Sequence, residues 1–140
     1  KIANVNIKNA SNDGLDISGS EIQLDNTNIS SIGDKSISVG ERSLININNS
    51  EMNTSFIGIA SKDDSKVNIK NSNIFNTVYS FAVFQKKPEY GGAKIEGSNI
   101  KTSNNSNLFM LSKGSSLKVN NQVYKPNMKN RQINKKVYRY

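Results

Sequence analysis

The chain contains no cysteine, no histidine and no tryptophan, and only 2 of its 140 residues are proline. Without Cys there is neither a disulfide nor a thiol nucleophile. Without His there is no Ser-His-Asp triad, no imidazole base and no zinc site of the usual ligands. The lack of Cys assigns no redox compartment, because a repeat protein with a continuous core can be exported without a disulfide. No run of about 18 apolar residues occurs, so no helix of this sequence is suited to cross a bilayer, and no apolar signal-type stretch precedes the first patterned segment. The opening at Lys1, without Met and inside a patterned segment, suggests a piece of a longer protein.

What the chain has instead is amide, hydroxyl and β-branched side chains: 23 Asn, 20 Ser and 16 Ile. Isoleucines spread along the whole length argue against disorder, because a disordered chain lacks β-branched residues to bury. With 140 residues, 34% of them hydrophobic, the chain has room for one domain or one stretch of a repeat protein.

Self-similarity decides between these. Six segments share one pattern: Val5–Ala10, Ile22–Thr27, Ile45–Ser50, Val67–Ser72, Ala93–Ser98 and Leu117–Gln122. Their central apolar residues, Ile7, Leu24, Ile47, Ile69, Ile95 and Val119, are 17, 23, 22, 26 and 24 residues apart, a period near 23. Within each copy, apolar and polar residues alternate, the period-2 signature of a strand with one buried face. A further apolar residue follows five positions on, at Ile29, Met52, Ile74 and Ile100. A second alternating strand comes later, at Ile37/Val39, Ile59, Phe81/Val83 and Leu108/Met110. Three short strands per turn predict a parallel β-helix of five to six coils, each stacked about 4.8 Å above the last. Asn9, Asn26, Asn49, Asn71 and Asn121, with Gly97 in the fifth copy, stand two residues past the central position, where a bend needs a left-handed backbone. Stacked in register, these amides form an Asn ladder.

On these residues the chain resembles the right-handed parallel β-helix superfamily of pectate-lyase-like proteins, across roughly residues 1 to 124. The resemblance implies a right-handed all-β solenoid, and the preference of parallel crossovers agrees. The segments Asp13–Ser20 and Gly33–Gly40 are similar to coils of bacterial surface β-helix proteins. Leucine-rich repeats have a similar period but need Leu positions that this chain lacks.

Four regions are candidates for chemistry. Asn12-Asp13-Gly14-Leu15-Asp16-Ile17 is similar to the Gly-Asp-Asp segment of polygalacturonases, so Asp13 and Asp16 are the weak catalytic candidates, paired acids being what glycoside hydrolysis uses. One acid of that segment is Asn12 here, and the family's His is missing. The plainer reading has Asp13 shaping a bend and Asp16 pointing outward. Aligning Ile37, Ile59 and Phe81 brings Glu41, Asp63 and Gln85 to one level, with Arg42, Asp64 and Lys86 beside them. Three carboxylates there make calcium the one cofactor to consider, although none is expected and no metal ligands are assigned. The insertion Phe84–Gly92 offers Lys86 and Lys87 to an anionic glycan and Tyr90 to a sugar face.

The fourth region is the end of the chain. Lys125, Lys129, Arg131, Lys135, Lys136 and Arg139 occur with no acid, so six of the net +8 charges fall in 125–140, interleaved with Tyr124, Tyr138 and Tyr140. No nucleic-acid-binding signature accompanies them, so a basic tail or a cap over the solenoid end is expected rather than a nucleic-acid site. An outward row of Asn6, Gln23, Asn46, Asn68, Lys94 and Lys118 argues against ice binding, which would want Thr. The sequence therefore points to a non-catalytic extracellular or cell-surface module that binds polysaccharide or other glycan, or spaces other domains of a larger chain. The alternative is a fragment of a polysaccharide lyase or glycoside hydrolase acting on acidic polysaccharide.

Overall fold

The computed structural model describes residues 1–139; Tyr140, one of the tyrosines placed on the basic tail, lies outside them. The alternating segments form a parallel β-solenoid of about five coils with three strand-bearing faces. The first face contains β1 (Ile2–Ala3), β4 (Glu21–Asp25), β7 (Leu44–Asn48), the start of β9 (Lys66–Phe84), the start of β10 (Lys94–Ser103) and β12 (Ser116–Val119). The second contains β2 (Asn6–Lys8), β5 (Asn28–Ser30), the start of β8 (Glu51–Lys62), the middle of β9 and the end of β10. The third contains β3 (Leu15–Ser18), β6 (Lys35–Gly40), the ends of β8 and β9, and β11 (Asn107–Leu111). Inward residues of the three faces make one continuous core of stacked Ile, Leu, Val, Met and Phe.

Register corrects three details of the sequence alignment. On the first face Leu24 pairs with Ile2, not Ile7, and Ile69 pairs with Gly97, not Ile95. Ile7 belongs to the second face, beside Ile29. The apparent short first coil therefore disappears: Ile2, Leu24, Ile47 and Ile69 are 22, 23 and 22 residues apart. In the fifth coil Phe109 and Leu111 align with Phe81 and Val83, so Met110 faces outward. A one-residue slip exchanges the faces of a whole strand, and the apolar run Leu108–Leu111 gave no polar residue to mark which face was which. The sixth copy does not complete a coil. Asn120 and Asn121 both have positive φ, 51° and 67°, and form a two-residue hairpin that turns the chain back as β13 (Gln122–Tyr124), antiparallel to β12.

The bends obey the backbone rule that the sequence suggested, and extend it. After the first face come Asn4, Asn26, Asn49, Asn71 and Asn99, with φ between 48° and 59°; Asn99, and not Gly97, is the fifth-coil member. After the second face come Asn9, Ser31, Thr54, Asn76 and Asn104, again left-handed. Ladder bonds join coils, as from Asn26 Nδ2 to Asn4 Oδ1 at 2.6 Å and from Asn99 Nδ2 to Asn71 Oδ1 at 2.8 Å. These amides stand on exposed corners. The buried polar work is done one residue later, by hydroxyls: Ser50 Oγ accepts from Thr27 N at 3.1 Å, and Ser72 Oγ accepts from Ser50 N at 3.1 Å. Ser50→Ala is therefore expected to cost roughly 1–3 kcal/mol, because it strands a buried N–H. Asn49→Gly, which keeps the left-handed backbone, should stay within about 0.5 kcal/mol. Chemical denaturation checks this, and equal losses would contradict the assignment.

The basic segment forms α1 (Asn130–Tyr138), laid across the outside of the third face. Ile133 and Val137, one turn apart, bury against outward-facing Ile57, Ala60, Ala82, Phe84 and Met110 in a second apolar cluster. Side-chain amides pin its approach: Asn127 Oδ1 accepts from Leu111 N at 2.9 Å, Asn130 Oδ1 accepts from Gln85 N at 2.9 Å, and Asn134 Nδ2 donates to Gln85 O at 2.8 Å.

Candidate functional site

Where α1 ends, near the first coils, the third face turns polar. A small recess of about 110 Å³ is lined by residues that include Asp13, Asp16, Glu41, Lys62, Lys86 and Tyr138. Stacking explains the gathering: Asp16 pairs with Ser38, while Gly40, Lys62 and Phe84 follow one another on successive coils just before the third corner. The recess thus brings together four of the sequence-derived candidates, Asp13, Asp16, Glu41 and Lys86, and Lys87 adjoins it through Glu41. Asp63, Asp64 and Tyr90 belong instead to the corner and the loop behind it.

Most of these charges already have partners. Asp13 Oδ1 accepts from Lys35 N at 3.2 Å and from Lys35 Nζ at 3.3 Å, tying the first coil to the second. Lys35 also reaches Asp34 at 2.5 Å. Glu41 accepts from Lys87 Nζ and from Ser18 Oγ. Those two bonds hold its carboxyl below the usual carboxylate range, and the same pairing raises Lys87. Lys86 Nζ lies 4.3 Å from the centroid of the Tyr138 ring, and Lys35 Nζ lies 5.3 Å from it, so the end of α1 is seated between two cations.

The inserted loop between β9 and β10 is an ordered element built on Asp63 and Asp64. Asp63 is fully buried, and its Oδ1 accepts from Lys86 N at 2.7 Å and Lys87 N at 2.8 Å. Asp64 Oδ1 accepts from Gly91 N at 2.9 Å, and its Oδ2 lies 3.7 Å from Arg42 Nε. Gln85 Nε2 donates to the carbonyls of Lys87 and Tyr90, closing the loop on itself, while Arg42 sits 5.3 Å from the Tyr90 ring centroid. Glu41, Asp63 and Asp64 do not converge: among the described residues no group of three or more carboxylates is placed to hold a metal ion.

The sequence offers Lys62 only as an ion-pair competitor for Glu41, Asp63 and Asp64, and the structure gives it a hydroxyl partner instead. Lys62 is 8% exposed, lies over Gly40, and its Nζ donates to Ser38 Oγ at 2.7 Å, with no carboxylate of the described residues within ion-pair distance. Desolvation, aided by nearby Lys35 and Lys86, lowers its pKa despite the opposing field of Asp16 and Asp13. A base with a depressed folded pKa is disfavoured when charged. Between that lowered value and the unfolded value near 10.5 the unfolded chain binds more protons, so stability rises with pH across this window. Lys62→Met should be more stable than the wild type at neutral pH by about 1 kcal/mol. The advantage should shrink as the pH approaches the upper end of the window. Melting curves across pH check this; a Met variant that is less stable at neutral pH would contradict it.

A second, larger concavity lies on the first face. This groove of about 440 Å³ is lined by Asn46, Asn68, Lys70, Glu96, Ser98 and Lys118, among others. Register sets Gln23, Asn46, Asn68, Glu96 and Lys118 in one outward row, with Asn68 Nδ2 donating to Asn46 Oδ1 at 2.9 Å. Two residues assigned to this row from sequence lie elsewhere: Asn6 pairs with Asn28 on the second face, and Lys94 aligns with Lys66 and Ser116. No family model matches the chain, and no curated protein and no solved structure matches it either.

Proposed function

We propose that the chain is a non-catalytic extracellular or cell-surface module, related in its coil design to the right-handed pectate-lyase-like proteins, that holds carbohydrate against its first face. The observation that carries this reading is the groove of about 440 Å³, whose volume falls in the range of small-molecule sites and whose lining alternates amide, hydroxyl, amine and carboxylate. Sugar hydroxyls donate and accept at once, so paired amides such as Asn46 and Asn68, held rigid by the coil register, match them. The same rigid stack also serves as a spacer within a longer protein.

A second reading, an acidic-polysaccharide lyase or hydrolase, draws on Asp13, Asp16 and Glu41 lining one recess. Three observations weigh against it. The recess, near 110 Å³, is well below the size of a typical ligand pocket. Asp13 is paired with Lys35. The carboxyl of Glu41 is held below its ordinary range, whereas a glycosidase general acid needs its pKa raised.

The test is a glycan array with the wild type and Asn68→Ala. Retained glycans should lose about tenfold in affinity in the variant, the order expected when one or two hydrogen bonds are removed, with melting unchanged. A wild type that retains no glycan would overturn the reading.

A further inference from the structure

We infer that the outer surface of α1 is a second binding site, independent of the groove, for an acidic polysaccharide. The helix turns its two apolar residues, Ile133 and Val137, inward. What remains outside is cationic: Lys125, Lys129, Arg131, Lys135, Lys136 and Arg139 are all exposed, and none forms an ion pair with a described residue. Arg131 and Lys135 fall four residues apart on the outward side of the helix, about 6 Å along the axis, and Arg139 follows at the C-cap on a left-handed backbone (φ 57°), so a stripe of cations runs to the end of α1. Because Ile133, Val137 and the amides of Asn127, Asn130 and Asn134 fix the helix to the solenoid, the stripe is held as a rigid line of charge. A linear polyanion releases counterions on meeting such a line, at little ordering cost to the protein.

The surroundings of the stripe choose the class of polyanion. Single-stranded nucleic acid binders add aromatic faces on which bases stack. Here Tyr138 packs against Phe84 beneath Lys35 and Lys86, Tyr124 packs against Phe109, and Tyr90 lies by Arg42. A helix that lies on a membrane inserts apolar side chains, but those of α1 are committed to the solenoid. A carboxylated or sulfated glycan chain requires neither.

The experiment compares two full-length triple variants of equal net charge by affinity for polygalacturonate at several salt concentrations. One carries Arg131→Gln, Lys135→Gln and Arg139→Gln; the other carries Lys8→Gln, Lys66→Gln and Lys101→Gln, three exposed solenoid lysines that form no ion pair with a described residue. The α1 triple should lose about tenfold or more at low salt, and its slope of log affinity against log salt should fall by about two, at roughly 0.7 per cation lost. The solenoid triple should keep both. Equal losses in the two variants would overturn the proposal, as would tighter binding of single-stranded DNA or anionic vesicles than of polygalacturonate. Neutral glycans retained by the groove should bind the α1 triple normally, which separates failure here from failure of the first-face reading.

Discussion

Ile133→Asp is expected to detach α1 and destabilise the protein by about 4 kcal/mol. Ile133 is fully buried against Ile57, Ala60, Ala82, Phe84 and Met110, and a carboxylate there has no cation to pair with inside the cluster. Removing the Ile alone costs about 2–5 kcal/mol, and burying an uncompensated charge adds to it. The consequence beyond stability is exposure of a contiguous apolar patch on the third face, the kind of surface that drives association. The variant should therefore melt early and appear as oligomers by light scattering. Truncation after Tyr124 should do the same, since it uncovers the lateral face of the solenoid. If either protein stays monomeric with unchanged melting, α1 is not part of the folded unit.

Phe81→Ala should be comparably severe, at about 3–5 kcal/mol. Phe81 is fully buried in the inner row of the third face, between Ile59 below and Phe109 above. In a close-packed stack neither neighbouring coil can shift inward to fill the cavity without breaking its own register. Val78→Ala, at an exposed position of the same strand, should stay within about 0.5 kcal/mol. Guanidinium unfolding of the two variants reads the difference. Similar losses would mean that the inner and outer faces are misassigned.

Period-2 alternation around Ile45/Ile47 and Val67/Ile69, with Asn at a fixed offset, made the solenoid legible because each coil repeats the same local conflict between burial and bending. The alignment slipped at the ends of the repeat for a physical reason: Ile7 and Ile2 are both inward residues of the first coil, on adjacent faces, and the sequence does not say which face each belongs to. The role of the hydroxyl row was also hidden, since Ser50 and Ser72 look like small residues chosen for fit until the backbone donors on the coil below them are visible. The covered outer face left a trace that alternation alone does not explain. Phe81-Ala82-Val83-Phe84 and Leu108-Phe109-Met110-Leu111 are continuous apolar runs, the signature of strands buried on both sides. Read that way, they call for an element on the outside, and Ile133 and Val137 at helical spacing supply it. The recess was half visible. Asp13, Asp16 and Glu41 stood out as acids, but the lysines that neutralise or crowd them are 21 or more residues away in sequence, and only coil stacking brings them near.

Under the function proposed above, this solenoid binds glycan without transforming it. The most direct test incubates the wild-type protein with uronic-acid polymers that it retains and follows new reducing ends together with the ultraviolet absorbance of unsaturated ends. The expected result is retention, weakened in Asn68→Ala or in the α1 triple variant, with no new ends formed by any of the three proteins. Formation of new ends that is abolished in Asp13→Ala, Asp16→Ala or Glu41→Ala would contradict it and make the recess an active site.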